Sequence, residues 1–195
     1  MASYVSWKAI NTSIIKQSVK VNLYASLTYE NIFWQWWLRF KHHWLKDSIY
    51  DYILVLRLVN YIQNPENDNV KLLFIYLVDA DEYGHDYSFS SQQYLNQIKI
   101  MDSHVKKILK AIDKVGWREG SLVIMTTNHG GIEQKHGENS IQEVDIFLAV
   151  RGLRITQNTN IESNIINMNC AVIILKALGM EIPKWFDGKL PVEFA

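Results

Sequence analysis

A chain of 195 residues, 48% hydrophobic and 12% aromatic, is long enough to bury a sizeable core as one domain and short for two. Its 20 basic and 20 acidic residues cancel, which removes the broad electrostatic reason to expect a nucleic acid or an anionic membrane as partner. The single cysteine, Cys170, excludes an intramolecular disulfide, and its apolar neighbours predict a buried structural thiol.

Residues 1–4 show no basic stretch leading into an apolar core, so no signal peptide is visible and the compartment stays open. Trp7, Ile10, Ile14 and Ile15 have helical spacing, and residues 19–25 then alternate as a half-buried strand does. The aromatic run 33–40 is broken by Arg39, Lys41, His42, His43 and Lys46, well short of the roughly 20 apolar residues a membrane-spanning helix needs. Core packing is one reading of that segment. The other is an exposed patch of Trp34, Trp36, Trp37 and Trp44 that docks a protein partner. A helix is predicted over 47–63, ended by the polar turn at 64–69 with Pro65.

Residues 71–79 form a short continuous apolar run that suits a strand buried on both faces, and Asp81-Glu82-Tyr83-Gly84-His85 follows at its carboxyl end. Ser90 and Ser91 open a helix whose apolar stripe runs from Tyr94 through Ile98, Met101, Val105 and Ile108 to Ile112, near Gly116. A second buried strand, 122–127, is followed at once by Asn128-His129-Gly130-Gly131 and then His136-Gly137. A third strand is predicted over 144–150 and a closing helix over 165–178, with Gly179 as its C-cap. Strand, helix, strand with polar clusters at both carboxyl ends is the βαβ order, so the fold class is α/β with ligands gathered along one edge of a parallel sheet.

Asp81 and His85 are four residues apart, so one helical turn can aim both at one cation. Taken singly, Asp81, His85, His129 and His136 are each at home in a solvated turn; one carboxylate and three imidazoles at two strand ends point instead to a shared cation site.

On these motifs the chain resembles the type I phosphodiesterase and nucleotide pyrophosphatase branch of the alkaline phosphatase superfamily. Its members show Asp-x-x-Gly-His after one strand, Asp-His-Gly after a later one and a His-Gly beyond. The likeness runs from about Leu72 to the end, including Leu178-Gly179, Pro183 and Gly188-Lys189 in the tail, with a vaguer match at Trp7. The resemblance implies a three-layer α/β sandwich with a mostly parallel central sheet, incomplete at the amino end: one partial domain over 1–195, Trp-rich and poorly matched over 1–70, motif-bearing over 71–195. It implies a phosphate-ester substrate and divalent metals, zinc first and manganese second, flanking a Thr or Ser nucleophile. Asp81, His85 and His136 correspond to three ligands of one metal, and His129 to a ligand of the other.

Asn128 stands where the family has an aspartate, and a neutral amide is a poor ligand for a dication, so the second metal should bind weakly. The family's early aspartate-bearing strand and its nucleophile have no counterpart upstream of Asp81; Thr12, Ser13 and Thr28 lack that context. Ser88 replaces a usual glycine, Asp145 a proline and Asn169 an aspartate. The expectation is a metal-dependent phosphoric ester hydrolase that holds one metal without turnover. The alternative is a catalytically silent protein-binding module on the same scaffold.

Overall fold

The computed structural model describes residues 2–5, 50–152, 155, 160–161 and 163–194. The helix predicted over 6–15, the strand over 19–25 and the tryptophans of 34–44 lie outside them. Two compact units emerge, residues 1–116 with 132–135, and residues 117–131 with 136–195.

In the first unit β1 (Ala2–Val5) pairs in parallel with β2 (Leu73–Tyr76), Ala2 opposite Leu73 and Val5 opposite Tyr76. Helix α1 (Tyr50–Ile62) buries Leu54, Val55, Leu58, Tyr61 and Ile62, the i, i+3, i+4 stripe its sequence dictates. It packs on α3 (Gln92–Lys114), which contributes Ile108, Ala111 and Ile112. Each of these larger side chains, once buried, stabilises the unit by about 1.5–3 kcal/mol before chain entropy is set against it. Ser91 caps α3 by accepting from Tyr94 N at 3.1 Å, and Gly116 ends it at φ 78°. Start and stop are thus where the sequence predicts them, whereas the stripe is displaced at its amino-terminal half: Ile98 is exposed, and Gln97 and His104 are buried in its stead.

Strand β2 is shorter and more open than the run 71–79 suggests. Phe74 is 41% exposed, because among the described residues β2 has a partner on one side only. The chain then leaves the strand at Val78 and Asp79, whose backbone N–H groups donate to the Asp51 carboxylate at 3.0 and 3.1 Å. That bond pair starts α2 (Asp79–Tyr87). In return Asp51 N donates to Asp79 Oδ2 at 3.0 Å, so each acid caps the other's helix. The C-cap of α2 is Ser88 at φ 85°, ψ 139°, a conformation that only glycine adopts without strain. The glycine usual at this place therefore has a physical reason. Ser88→Gly should raise the melting temperature by about 2–4 °C, roughly 1 kcal/mol for a chain of this size. The hydroxyl given up does little to offset that gain, since its bonds to Ser90 N at 3.4 Å and Ser90 Oγ at 3.2 Å are long and exposed. An unchanged or lower melting point in a thermal scan would contradict it.

In the second unit β3 (Leu122–Thr126) pairs antiparallel with β4 (Leu148–Gly152), Leu122 opposite Gly152 and Thr126 opposite Leu148. The fold is α/β. The strand predicted over 144–150 begins four residues late. Ser140 and Glu143 form a capping box, with Ser140 N donating to Glu143 Oε2 at 3.3 Å, and this closes a short helix α4 (Ile141–Val144) ahead of the strand. Asp145 is the C-cap of α4, its N–H bonded to Ile141 O at 2.9 Å. Helix α5 (Asn167–Ala177) buries Val172 and Ile173, and Gly179 follows it at φ 67°. Asn169 accepts from Ile166 N at 2.9 Å and donates to Lys189 O, a double role that an aspartate could not fill at the donor end. Cys170 is half-buried rather than buried, and that burial still pushes its thiol pKa up. Among the described residues no helix is long and apolar enough to cross a membrane.

Candidate functional site

Asp81 and His85 sit one turn apart on α2, near the end of β2, as the Asp-x-x-x-His spacing predicts. Asp81 Oδ1 lies 3.7 Å from His85 Nε2, with the side chains 30% and 43% exposed. Two bonds of about 2.1 Å meeting at a tetrahedral ion leave their donor atoms about 3.4 Å apart. The pair is therefore near the spacing one cation requires.

The proton on His85 is located by its second nitrogen. Nδ1 lies 2.9 Å from the main-chain carbonyl of Gln134, and a carbonyl can only accept, so Nδ1 carries the hydrogen. In the neutral ring Nε2 is then the nitrogen that carries the lone pair, on the side of the Asp81 carboxylate oxygen. Two acceptors lie close together, an arrangement that a cation between them stabilises.

The surroundings of this pair explain the motif's glycine. A Cβ on Gly84 would stand 2.4 Å from the ring of Phe89, which packs edge-on against the His85 imidazole at 5.8 Å and against Tyr94 at 5.3 Å. Burial first, and the Asp81 charge second, push the phenols of Tyr76 and Tyr94 up, so both remain neutral beside the carboxylate.

Asn128, His129 and His136 belong to the second unit. The His129 and His136 rings stack with centroids 3.7 Å apart and planes 22° from parallel. Ring lone pairs lie in the ring plane, so two rings stacked this way cannot both aim at one ion about 2 Å from each. His129 Nδ1 donates to Gly130 O at 2.8 Å, leaving Nε2 as its lone pair. Asn128 is exposed beside it. The loop glycine matters here as well, since Gly130 N donates to Glu143 O at 2.8 Å and the two backbones touch. Bonds from Ser140 and the Glu138 N–H, with His136 a smaller contributor, hold the Glu143 carboxyl below its usual range.

The Thr126 hydroxyl donates to Phe147 O at 2.8 Å, and that of Thr127 to His129 O at 2.9 Å. Residue types alone did not point to Gln134, because it acts through its main chain, nor to Phe89, whose role follows from the missing Cβ of Gly84.

A family model described as type I phosphodiesterase / nucleotide pyrophosphatase matches residues 1–177, and so takes in the first 70 residues, which carry none of the metal motifs. GPI ethanolamine phosphate transferase 1 of Gibberella zeae is 25% identical over 88 residues, 45% of this chain and 9% of that protein. The protein of the same name from Neurospora crassa is 28% identical over 88 residues, again 45% of this chain and 9% of its own length. The matched segment thus spans about a tenth of these relatives. No solved structure matches the chain. With the family match covering nine-tenths of the sequence, and the Asp81 and His85 pair, His129 and His136 following in the family's order, the chain belongs to the type I phosphodiesterase / nucleotide pyrophosphatase family.

Proposed function

We propose that the chain is a metal-binding member of the phosphoric ester hydrolases, with the alkaline-phosphatase-like three-layer fold, and that it holds one divalent cation through Asp81, His85 and His136. The observation that supports this most directly is His85 Nε2 at 3.7 Å from Asp81 Oδ1 with the ring proton fixed on the far nitrogen. The sequence places His136 two residues after Gln134, whose carbonyl engages that same imidazole. One carboxylate and two imidazoles suit zinc first and manganese second. Such an ion would supply Lewis-acid stabilisation to the oxygens of a phosphoryl group, and a phosphate ester is the substrate class.

A second ion would rest on His129 and Asn128 alone among the assigned residues, and the neutral amide makes that site weak. The hydroxyls of Thr126 and Thr127, which precede His129 in the chain, are committed as donors to main-chain carbonyls, and an activated nucleophile needs its hydroxyl beside a base instead. We therefore read the chain alone as binding metal without turnover. Elemental analysis and calorimetric titration with zinc and manganese test this reading. One ion per chain is expected for the unaltered protein, and at least a hundredfold weaker binding for His85→Ala. An unaltered protein that takes up no metal, or a His85→Ala protein that binds as well, rules the assignment out. Hydrolysis of simple phosphate monoesters or diesters by the purified chain would overturn the statement about turnover.

A further inference from the structure

The metal pair on α2 is held by a short strap that no motif contains. Ile132 and Lys135 bond to each other in both directions at 3.0 Å, closing a four-residue turn. Within it Glu133 takes φ 51°, the left-handed region that costs a side-chain-bearing residue about 1 kcal/mol or more. Strain of that kind persists only where neighbouring bonds hold it. Three such bonds run from this turn to the end of α2, all within the first unit. Phe89 N donates to Glu133 O at 2.6 Å, His85 Nδ1 to Gln134 O at 2.9 Å, and the Gln134 side-chain amide to Asp86 O at 3.0 Å.

Gln134 is thus engaged twice. Its carbonyl fixes which nitrogen of His85 carries the proton, and its side chain fixes the carbonyl by anchoring the turn to the residue after His85. Phe89 closes the third side, with its ring against the imidazole and its backbone on the strap. We propose that Gln134 is a positioning residue for His85: the strap at 132–135 locks the imidazole with Nδ1 protonated and turned away, so that Nε2 is the nitrogen presented beside Asp81. The proposal rests on the reading of Asp81 and His85 as metal ligands and adds the device that orients one of them. Partners of this kind, a carbonyl behind the far nitrogen of a ligating histidine, typically govern metal affinity by 10–100-fold.

Gln134 is exposed, so its substitution leaves the core untouched. Gln134→Glu keeps the shape of the side chain, removes the N–H donor and sets a negative charge against Asp86 O. Gln134→Lys restores a donor of similar reach. Long-range nitrogen–proton spectra of the imidazoles, recorded on metal-free protein near pH 8.5, well above the ordinary imidazole range, report the tautomer of each histidine. The unaltered protein should show His85 almost wholly as the Nδ1–H form. Gln134→Glu should show a substantial Nε2–H population at His85, with the His129 signals unchanged, and about tenfold weaker zinc and manganese binding by titration. Gln134→Lys should return both toward the unaltered values. A predominantly Nε2–H His85 in the unaltered protein would overturn the proposal. So would an unchanged tautomer in Gln134→Glu, or a changed tautomer with unchanged metal affinity. Failure of the metal-site reading looks different: the protein then binds no ion at all, whatever stands at 134, while the metal-free spectra still report whether the strap sets the tautomer.

Discussion

Gly130→Ala should destabilise the protein by about 3 kcal/mol, lowering its melting temperature by roughly 6–12 °C. A Cβ built on Gly130 stands 2.1 Å from the carbonyl oxygen of Gln142 and 3.2 Å from its carbon. Both are main-chain atoms of the capped turn leading through α4, so no side chain can rotate out of the way. The turn itself is pinned, because the Glu143 carboxylate binds the N–H groups of Glu138 and Ser140 at 3.1 and 3.3 Å. The loop must therefore lift, and the Gly130 N to Glu143 O bond of 2.8 Å goes with it, worth about 1 kcal/mol. The damage reaches the candidate ligand next door, since Gly130 O is the acceptor that fixes the tautomer of His129. Gly120→Ala is the control: nothing lies within 4 Å of a Cβ there, and its stability should stay within about 0.5 kcal/mol of the parent. Urea unfolding of the two variants side by side decides the point, and equal midpoints would refute the steric account.

Gly130 also marks how far the sequence could be read. That a glycine beside His129 allows close backbone approach is legible from residue type, while the partner that approaches, the 142–143 turn, lies a dozen residues on and carries no local mark. Helices with caps and stripes were readable in the same way: Ser91, the run from Tyr94 to Ile112, and Gly116 each act locally, and α3 falls where they put it. Strands were less so. An apolar run states that a segment is half-buried or buried, without naming its neighbours, and the expected parallel neighbour of β3 is replaced by the antiparallel β4 among the described residues. The late start of β4 follows from a capping box at Ser140 and Glu143 that outweighs the apolar character of Val144 and Ile146. At the candidate site the side chains were legible and their support was not. Asp81 and His85 announce themselves by spacing and chemistry, whereas the Gln134 carbonyl belongs to the backbone of a distant turn and any residue type could supply it.

Replacing Asp79 should change the pH dependence of stability more than any other single substitution on α2. The Asp51 and Asp79 carboxyl groups are buried, at 0% and 2% exposure, and are joined by the reciprocal caps that start both α1 and α2. Two carboxylates in contact and out of water cannot both ionise at little cost. Burial first, and the charge of Asp51 second, push Asp79 up to about 8. A carboxyl group whose folded pKa is raised binds its proton more tightly in the native chain than in the unfolded one. Its stabilising contribution is therefore complete below the ordinary carboxylate range and is lost as pH rises toward about 8. Asp79→Asn mimics the protonated form at every pH, since its amide oxygen can accept from Asp51 N and its NH₂ can donate to the Asp51 carboxylate. The fall in unfolding free energy between about pH 5 and pH 8 should shrink by more than about 1.4 kcal/mol, one pKa unit's worth, so that the asparagine protein is the more stable one at the alkaline end. Asp79→Ala separates the cap from the charge. It flattens the same slope but leaves the Asp51 N–H unpaired in a buried place, and should lie about 1–3 kcal/mol below Asp79→Asn throughout. Urea titrations at several pH values, run with a chelator so that metal binding adds no proton linkage of its own, resolve both effects. Parallel pH profiles for the parent and the asparagine protein would mean that the buried pair does not share a proton.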